Sequence, residues 1–323
     1  MDHFDYLVDF FKTATCFVED KIPYSIIVSD EKEAALLRKR LGNVMVDCAT
    51  YHLPRGKVPM LQDYEIISLY DLLPPALKAM CQPNDTSKLL KKYGKFKYQS
   101  LKKLLAAYQL DYKHALWLDS EAQIIQPLNW QRFFQSYFAK PVIWRSRMLG
   151  DVDVIFSHKI MHASAAVLGL SLEYFGTQYW NLESFKWMIE KEIIVDLIES
   201  VADLHQRSFW DVFLEQDGEP FEVCVYYLFI HLRKMETQSP LYAKYTFLQT
   251  EREMARYGLR ILFFSGASLS NIALTKQNRE CDALDQEHGV WSHRTHLPPL
   301  TRWTECGRTE SVPQRPSARY AAT

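Results

Sequence analysis

No charge of either sign is in excess: 38 Lys and Arg stand against 39 Asp and Glu, a net charge of −1. Nothing in that balance points to nucleic acid or to an anionic membrane, so any basic site has to be local. No run of about 18 apolar residues occurs, which excludes a transmembrane helix. The longest candidate, residues 163–172, is too short and contains Ser and Gly. The N-terminus, MDHFDYLVDFF, is acidic and lacks the positive region of a signal peptide. The six cysteines (Cys16, Cys48, Cys81, Cys224, Cys281 and Cys306) form no CxxC pair, so no structural zinc site is spelled. They read as reduced thiols, and the expectation is a cytoplasmic protein. A P-loop, a nucleophile elbow and an HExxH helix are all missing. No internal repeat is apparent.

What the chain does have is aromatic residues, 14% of the total, enough for a large core. Residues 24–28 (YSIIV) are a β-branched run ending at Ser29-Asp30. A helical pattern follows, with Ala34, Leu37 and Leu41 on one face and Glu33 in its first turn. Strand, turn and helix in that order open an α/β fold. Residues 44–46 and 65–69 read as further strands, and 51–63 as a loop. Residues 81–95 are polar and basic and read as an exposed connection. From 96 to 110 the pattern is helical, with Leu101, Leu104, Leu105 and Tyr108 on one stripe. HALWLD is a strand ending at Asp119, and AQIIQPL is a second extended piece. A helix then a strand are expected over 130–143, helices over 160–172 and 181–204, and two aromatic helical pieces around a loop over 208–232. Residues 259–264 read as a late strand. The expected organisation is one domain over 1–275, with a nucleotide half (1–128) and an acceptor half (129–275), and a flexible tail over 276–323.

The chemistry concentrates in residues 96–128. A buried strand delivers Asp119 and Glu121 at its C-terminal end, where open α/β sheets bind ligands. Alternation puts both carboxylates on one side. Two carboxylates converging on one point are unfavourable without a cation between them. A hard ion such as Mn²⁺ or Mg²⁺ suits oxygen ligands, and a diphosphate would complete its shell.

Leu116-Trp117-Leu118-Asp119-Ser120-Glu121, preceded by the helix Tyr98-Gln99-Ser100-Leu101-Lys102-Lys103-Leu104, resembles the sugar-nucleotide-dependent glycosyltransferases of GT-A fold. The likeness is to glycogenin-like enzymes and to a glycosyltransferase-like group with a Gln-x-x-Lys helix before a DxD-type motif, and it covers about 35 residues. It implies a Rossmann-like mixed sheet flanked by helices, with a helical acceptor side. It also implies a UDP-sugar or related donor and a glycan or other hydroxyl acceptor. Asp119 is then expected on the metal and the donor ribose, and Glu121 on the metal. Glu in the last position departs from the commonest pattern.

For the donor phosphates, the glycogenin-like spacing favours Lys103. Helical geometry favours Lys102, which lies about 110° from the centre of the Leu stripe, while Lys103 points nearly opposite to the core. Lys102 is taken, flanked by Tyr98 and Gln99. Ser29 and Asp30 are expected at the nucleotide, or as a plain helix cap. Glu222, set among aromatic and aliphatic residues, is the candidate general base, with Asp211 and Asp217 as competitors. Trp180, Trp187 and Trp210 are candidate stacking residues, better read as core. His158, His162, His231 and His288 could supply a third ligand.

A haloacid-dehalogenase-type phosphatase would place its acidic motif near the N-terminus, and a nucleotidyltransferase would carry a Gly-rich N-terminal loop; neither is found. The expectation is therefore a metal-dependent glycosyltransferase. The competing reading is a degenerate GT-A fold that binds a glycan or a partner without turnover.

Overall fold

A computed structural model describes residues 3–276 except 43, 55, 62, 121, 145–150, 176–186, 249–258 and 264–271. For residues 3, 144, 151–158, 248, 259–263 and 272–276 it describes the backbone path alone. Glu121, Trp180, His288 and the expected tail beyond Lys276 fall outside the described residues.

A helix that the sequence did not announce, α1 (His3–Phe17), precedes β1 (Tyr24–Val28). α2 (Glu31–Leu41) starts where its cap dictates. The Asp30 carboxylate accepts from the Glu33 N–H at 2.8 Å, and the Glu33 carboxylate reaches back to the Ser29 N–H at 2.6 Å. Two otherwise unpaired N–H groups are thereby satisfied reciprocally. Ala34, Leu37 and Leu41 are fully buried, as their spacing requires. β2 (Met45–Asp47) pairs antiparallel with β3 (Lys57–Pro59), which lies inside the expected loop, and β4 (Tyr64–Ser68) runs parallel to β1.

Short helices α3 (Leu69–Leu72) and α4 (Pro75–Lys78) lead to α5 (Ser87–Gln109). The expected exposed connection over 81–95 is therefore half helix. Gly94 interrupts α5 with φ +80° and ψ 165°, a backbone region open essentially to glycine alone. The kink re-aims the second half of the helix, where Leu101, Leu104 and Leu105 are fully buried.

β5 (His114–Trp117), α6 (Trp130–Ala139), β6 (Val142–Trp144) and α7 (Asp151–Val167) follow. The AQIIQPL segment forms no strand; Leu128 makes only an isolated parallel bridge with Val18. The helix expected over 181–204 is divided. Its residues 181–186 lie outside the described residues, Trp187–Glu190 form the strand β7, antiparallel to β5, and the helix α8 runs over Lys191–His205. All four residues of β7 are buried, which hides the two-residue period that would have marked a strand. Then come α9 (Phe209–Glu215), α10 (Glu222–Glu236), α11 (Pro240–Ala243), β8 (Thr246–Leu248), β9 (Leu259–Phe263) and β10 (Ile272–Lys276). β8 is parallel to β6, and β9 is antiparallel to β10.

The described strands form five separate pairs, and two of these pairs divide the interior. On β1 and β4, Ile26 and Ile66 face one hydrophobic core while Ile27 and Ile67 face another. On the β5–β7 ribbon, Trp187 and Ile189 face the second core and Met188 the first. α1, α2 and α6 pack in the first core; α5, α8, α9 and α10 pack in the second. The result is a mixed α/β architecture of helices and small sheets, in which the strand leading to Asp119 lies between two apolar cores.

The cysteine expectation needs correction. Cys16, in the last turn of α1, is disulfide-bonded to Cys48, directly after β2, across 32 positions of sequence. Their Cα atoms lie 5.5 Å apart, within reach of a bridge. A bridge formed by the fold rather than by a short motif leaves no spacing to read. Cys81 and Cys224 are free thiols, the latter buried. No helix of the described residues is long and apolar enough to cross a membrane.

Two polar devices fasten α8 and the strands around it. The Lys191 ammonium donates to the carbonyls of Tyr108 and Leu110 at 2.5 and 2.7 Å, capping the C-terminus of α5, where a cation suits the helix dipole. The buried Glu190 carboxylate accepts from the Tyr245 hydroxyl at 2.6 Å and from Lys244 at 2.6 Å.

Candidate functional site

The second half of α5 carries the site on consecutive turns. Tyr98, Ser100, Lys102 and Lys103 leave the helix outside its Leu stripe, and each finds a partner from another part of the chain.

On one side, the Lys102 ammonium donates to the Ser29 hydroxyl at 2.9 Å and lies 5.0 Å from the centre of the Tyr98 ring. Thr86 joins them, donating from its hydroxyl to the Ser29 carbonyl at 2.9 Å and sharing a 2.5 Å bond with the Tyr98 hydroxyl. Burial pulls the Lys102 ammonium below the usual lysine range, and Glu33 and Asp30 oppose that shift. Three residues expected at the donor, Ser29, Tyr98 and Lys102, are therefore brought together at the end of β1. Asp30 caps α2 instead, and Gln99 is exposed.

On the other side, the Lys103 ammonium sits 2.8 Å from Asp119 Oδ1 and 2.9 Å from Glu222 Oε1. The second Glu222 oxygen accepts from the Ser100 hydroxyl. Trp187 and Phe221 wall the cluster, with the Lys103 nitrogen 4.5 Å from the Trp187 ring centre and 5.9 Å from that of Phe221. Burial alone would lower the Lys103 ammonium, but Glu222 and Asp119 overcome it and hold it above the usual lysine range. Glu222 is 1% exposed, whereas the Asp119 side chain is 31% exposed. Lys103 takes Oδ1 of Asp119; among the described residues Oδ2 has no further partner.

The structure thus corrects the expected orientation of Lys103. Lys103, expected to point away from the core, reaches Asp119, and Lys102 reaches Ser29. The helical projection assumed one buried face, but α5 is packed by β1, α3, α8 and α10, so Lys103, outside the Leu stripe, is largely covered as well. Glu222 also differs from expectation. Both of its oxygens are engaged, so it holds Lys103 and presents no free oxygen to an acceptor hydroxyl.

Asp211 sits in the first turn of α9, and its charge acts on Lys92 and Arg207, away from this cluster. Trp210 packs against Tyr108 in the core. His231 packs against Phe175 and Phe247. Among the described residues, no group of three or more His, Cys, Asp or Glu side chains is placed to hold a metal ion. Ser100 and Thr86 were missed. Neither belongs to a motif, and their roles depend on contacts 122 and 57 positions away.

Compared with known proteins, the chain matches no family model, no curated protein and no solved structure.

Proposed function

We propose that the chain is a metal-dependent glycosyltransferase of GT-A-like architecture, moving a sugar from a UDP-sugar or related donor to a hydroxyl acceptor such as a glycan. The observation that carries this reading is the charge balance at the end of β5. One ammonium, Lys103, meets two carboxylates, Asp119 and Glu222. The cluster therefore retains one formal negative charge, and its half-buried member, Asp119, has one oxygen without a partner among the described residues.

That oxygen suits a hard divalent ion, which binds through one or two carboxylates and completes its shell with water and phosphate. Asp119, with Glu121 two positions on, would hold Mn²⁺ or Mg²⁺, and the bound ion would neutralise charge developing on the diphosphate leaving group. The remaining work falls to the chain's own groups. Lys103 fixes the Asp119 carboxylate in one orientation. Glu222 and Ser100 fix Lys103, so the site is preorganised before any ligand arrives. Lys102, hydrogen-bonded to Ser29 and lowered by burial, is a cation that can exchange its hydroxyl partner for a phosphate oxygen.

Hydrolysis of UDP-sugars in the presence of Mn²⁺ tests the reading. Asp119→Asn, Glu121→Gln and excess EDTA are each expected to abolish it while the fold persists. Full turnover in both variants, or in EDTA, would remove the metal-site reading. The engagement of both Glu222 oxygens favours a second reading, a non-catalytic module that binds the same ligands. Such a module would show a thermal shift with a UDP-sugar and no hydrolysis.

A further inference from the structure

The chain that follows Asp119 is fastened to the end of α1. The Ala122 N–H returns to the Asp119 carbonyl at 3.0 Å. Beyond it, the Ile124 N–H donates to the Thr13 hydroxyl at 3.2 Å, and the Leu128 N–H to the Phe17 carbonyl at 2.9 Å. The Leu128 carbonyl accepts from the Glu19 N–H at 2.9 Å. The Asp20 carboxylate accepts from the Trp130 and Gln131 N–H groups at 2.7 and 2.8 Å. Residues 13–20 therefore form the frame on which the segment after the acidic motif is laid. Cys16 lies within that frame, and its bridge to Cys48 ties the frame to the end of β2. The Thr15 hydroxyl, accepting from the Leu61 N–H at 2.8 Å, is a second and non-covalent tie. The body of α1 is held separately, by Phe10 and Phe11 buried in the first core. Opening the bridge thus loosens the last turn without undocking the helix.

We propose that the Cys16–Cys48 bridge is a redox-sensitive latch on the acidic motif, so that the thiol–disulfide state of the chain sets how well Asp119 holds a divalent ion. Lys103 fixes one Asp119 oxygen from the α5 side; the frame fixes the backbone that follows. The reductant is by class a monothiol such as glutathione. Two molecules deliver two electrons and two protons, the S–S bond becomes two thiols, and one glutathione disulfide leaves. The reverse exchange closes the latch. Cys16 and Cys48 are both buried, so a thiolate reaches them when the end of α1 lifts, the same displacement that releases the segment. The metal part of this inference rests on the reading of the site given above.

The experiment uses the full chain, oxidised, then reduced with dithiothreitol well below the Tm of the reduced form, then reoxidised with glutathione disulfide. Mass spectrometry follows the bridge, and calorimetry follows the affinity for UDP with Mn²⁺. The expected result is binding about 10–100-fold weaker in the reduced chain, the usual effect of losing support behind a metal ligand, with recovery on reoxidation. Amide exchange should quicken at Ile124, Leu128, Trp130 and Gln131 by a larger factor than at Ile26 and Ile27 of β1. The double variant Cys16→Ser with Cys48→Ser should stay in the weak state and ignore both reagents, which separates the bridge from the Cys81 and Cys224 thiols. Thr13→Val keeps the bridge and removes one hydroxyl of the frame; it should also weaken binding, while Thr13→Ser should bind as the wild type does. Affinity for UDP with Mn²⁺ that is unchanged on reduction overturns this inference, whatever the exchange rates show, while the proposed function stands. If the oxidised chain does not bind UDP with Mn²⁺, the reading of the site fails and this inference falls with it.

Discussion

Replacing Lys103 by Met tests the electrostatic account of the site without reference to any substrate. Met preserves most of the side-chain volume and removes the ammonium that lies 2.9 Å from Glu222. Glu222 is 1% exposed and would keep only the Ser100 hydroxyl as a partner. Deleting one member of a buried pair typically costs about 3–5 kcal/mol, because the remaining charge is left uncompensated. At about 2–4 °C per kcal/mol for a chain of this size class, the Tm should fall by roughly 6–20 °C. The sign of the pH dependence follows from the same reasoning. A carboxyl this deeply buried without a cation favours its neutral form. The variant should therefore lose stability as pH rises through the range where that carboxyl must ionise, and the gap to the wild type should close in acid. In the wild type, Lys103 is held above the usual lysine range, so its contribution is fully present below its unfolded pKa of about 10.4. That contribution is lost only as pH rises through the raised folded value. The double variant Lys103→Met with Glu222→Gln removes both charges and should recover much of the loss. Thermal and urea melts from pH 4 to 8 on the three proteins measure this. A cost under about 1 kcal/mol at pH 8, with no pH trend and no recovery in the double variant, would refute the pairing.

Three further outcomes follow from other contacts. Opening the Cys16–Cys48 bridge, by reductant or by Cys16→Ser with Cys48→Ser, should cost about 3–4 kcal/mol for a loop of 32 residues; a non-reducing digest without a peptide joining the two cysteines would remove the premise. Tyr245→Phe deletes the hydroxyl that bonds the buried Glu190 at 2.6 Å and should cost about 1.5–3 kcal/mol in urea melts. Gly94→Ala, at φ +80° with open space around it, should cost about 1–3 kcal/mol through backbone strain alone, and a wild-type urea midpoint would contradict the kink.

Local patterns carried a good part of the fold. The β1–α2 unit was legible because a β-branched run, a capping residue and a 3.6-residue stripe lie within twenty consecutive positions. β5 was legible because its apolar run stops abruptly at an acidic pair. β7 was not, since both of its faces are buried and no alternation shows. Cys16–Cys48 was not legible, because a bridge made by tertiary approach has no local spacing. At the site, Asp119, Ser29, Tyr98 and Lys102 could be named from motif position and helix geometry. The role of Lys103 could not be reached in that way. Its burial comes from α10, more than a hundred residues downstream, and a projection of one helix contains nothing about what covers its outer face.

Lys102 and Lys103 are neighbours in sequence, yet one grips the end of β1 and the other the carboxylates beyond β5. Their division of labour is therefore a matter of phase. One residue added or lost between the Gly94 bend and this pair would turn both side chains by about 100° and detach the two poles at once. Length variation in this lineage should consequently be found outside that interval, and the helix acts as a key cut for two locks in a single notch.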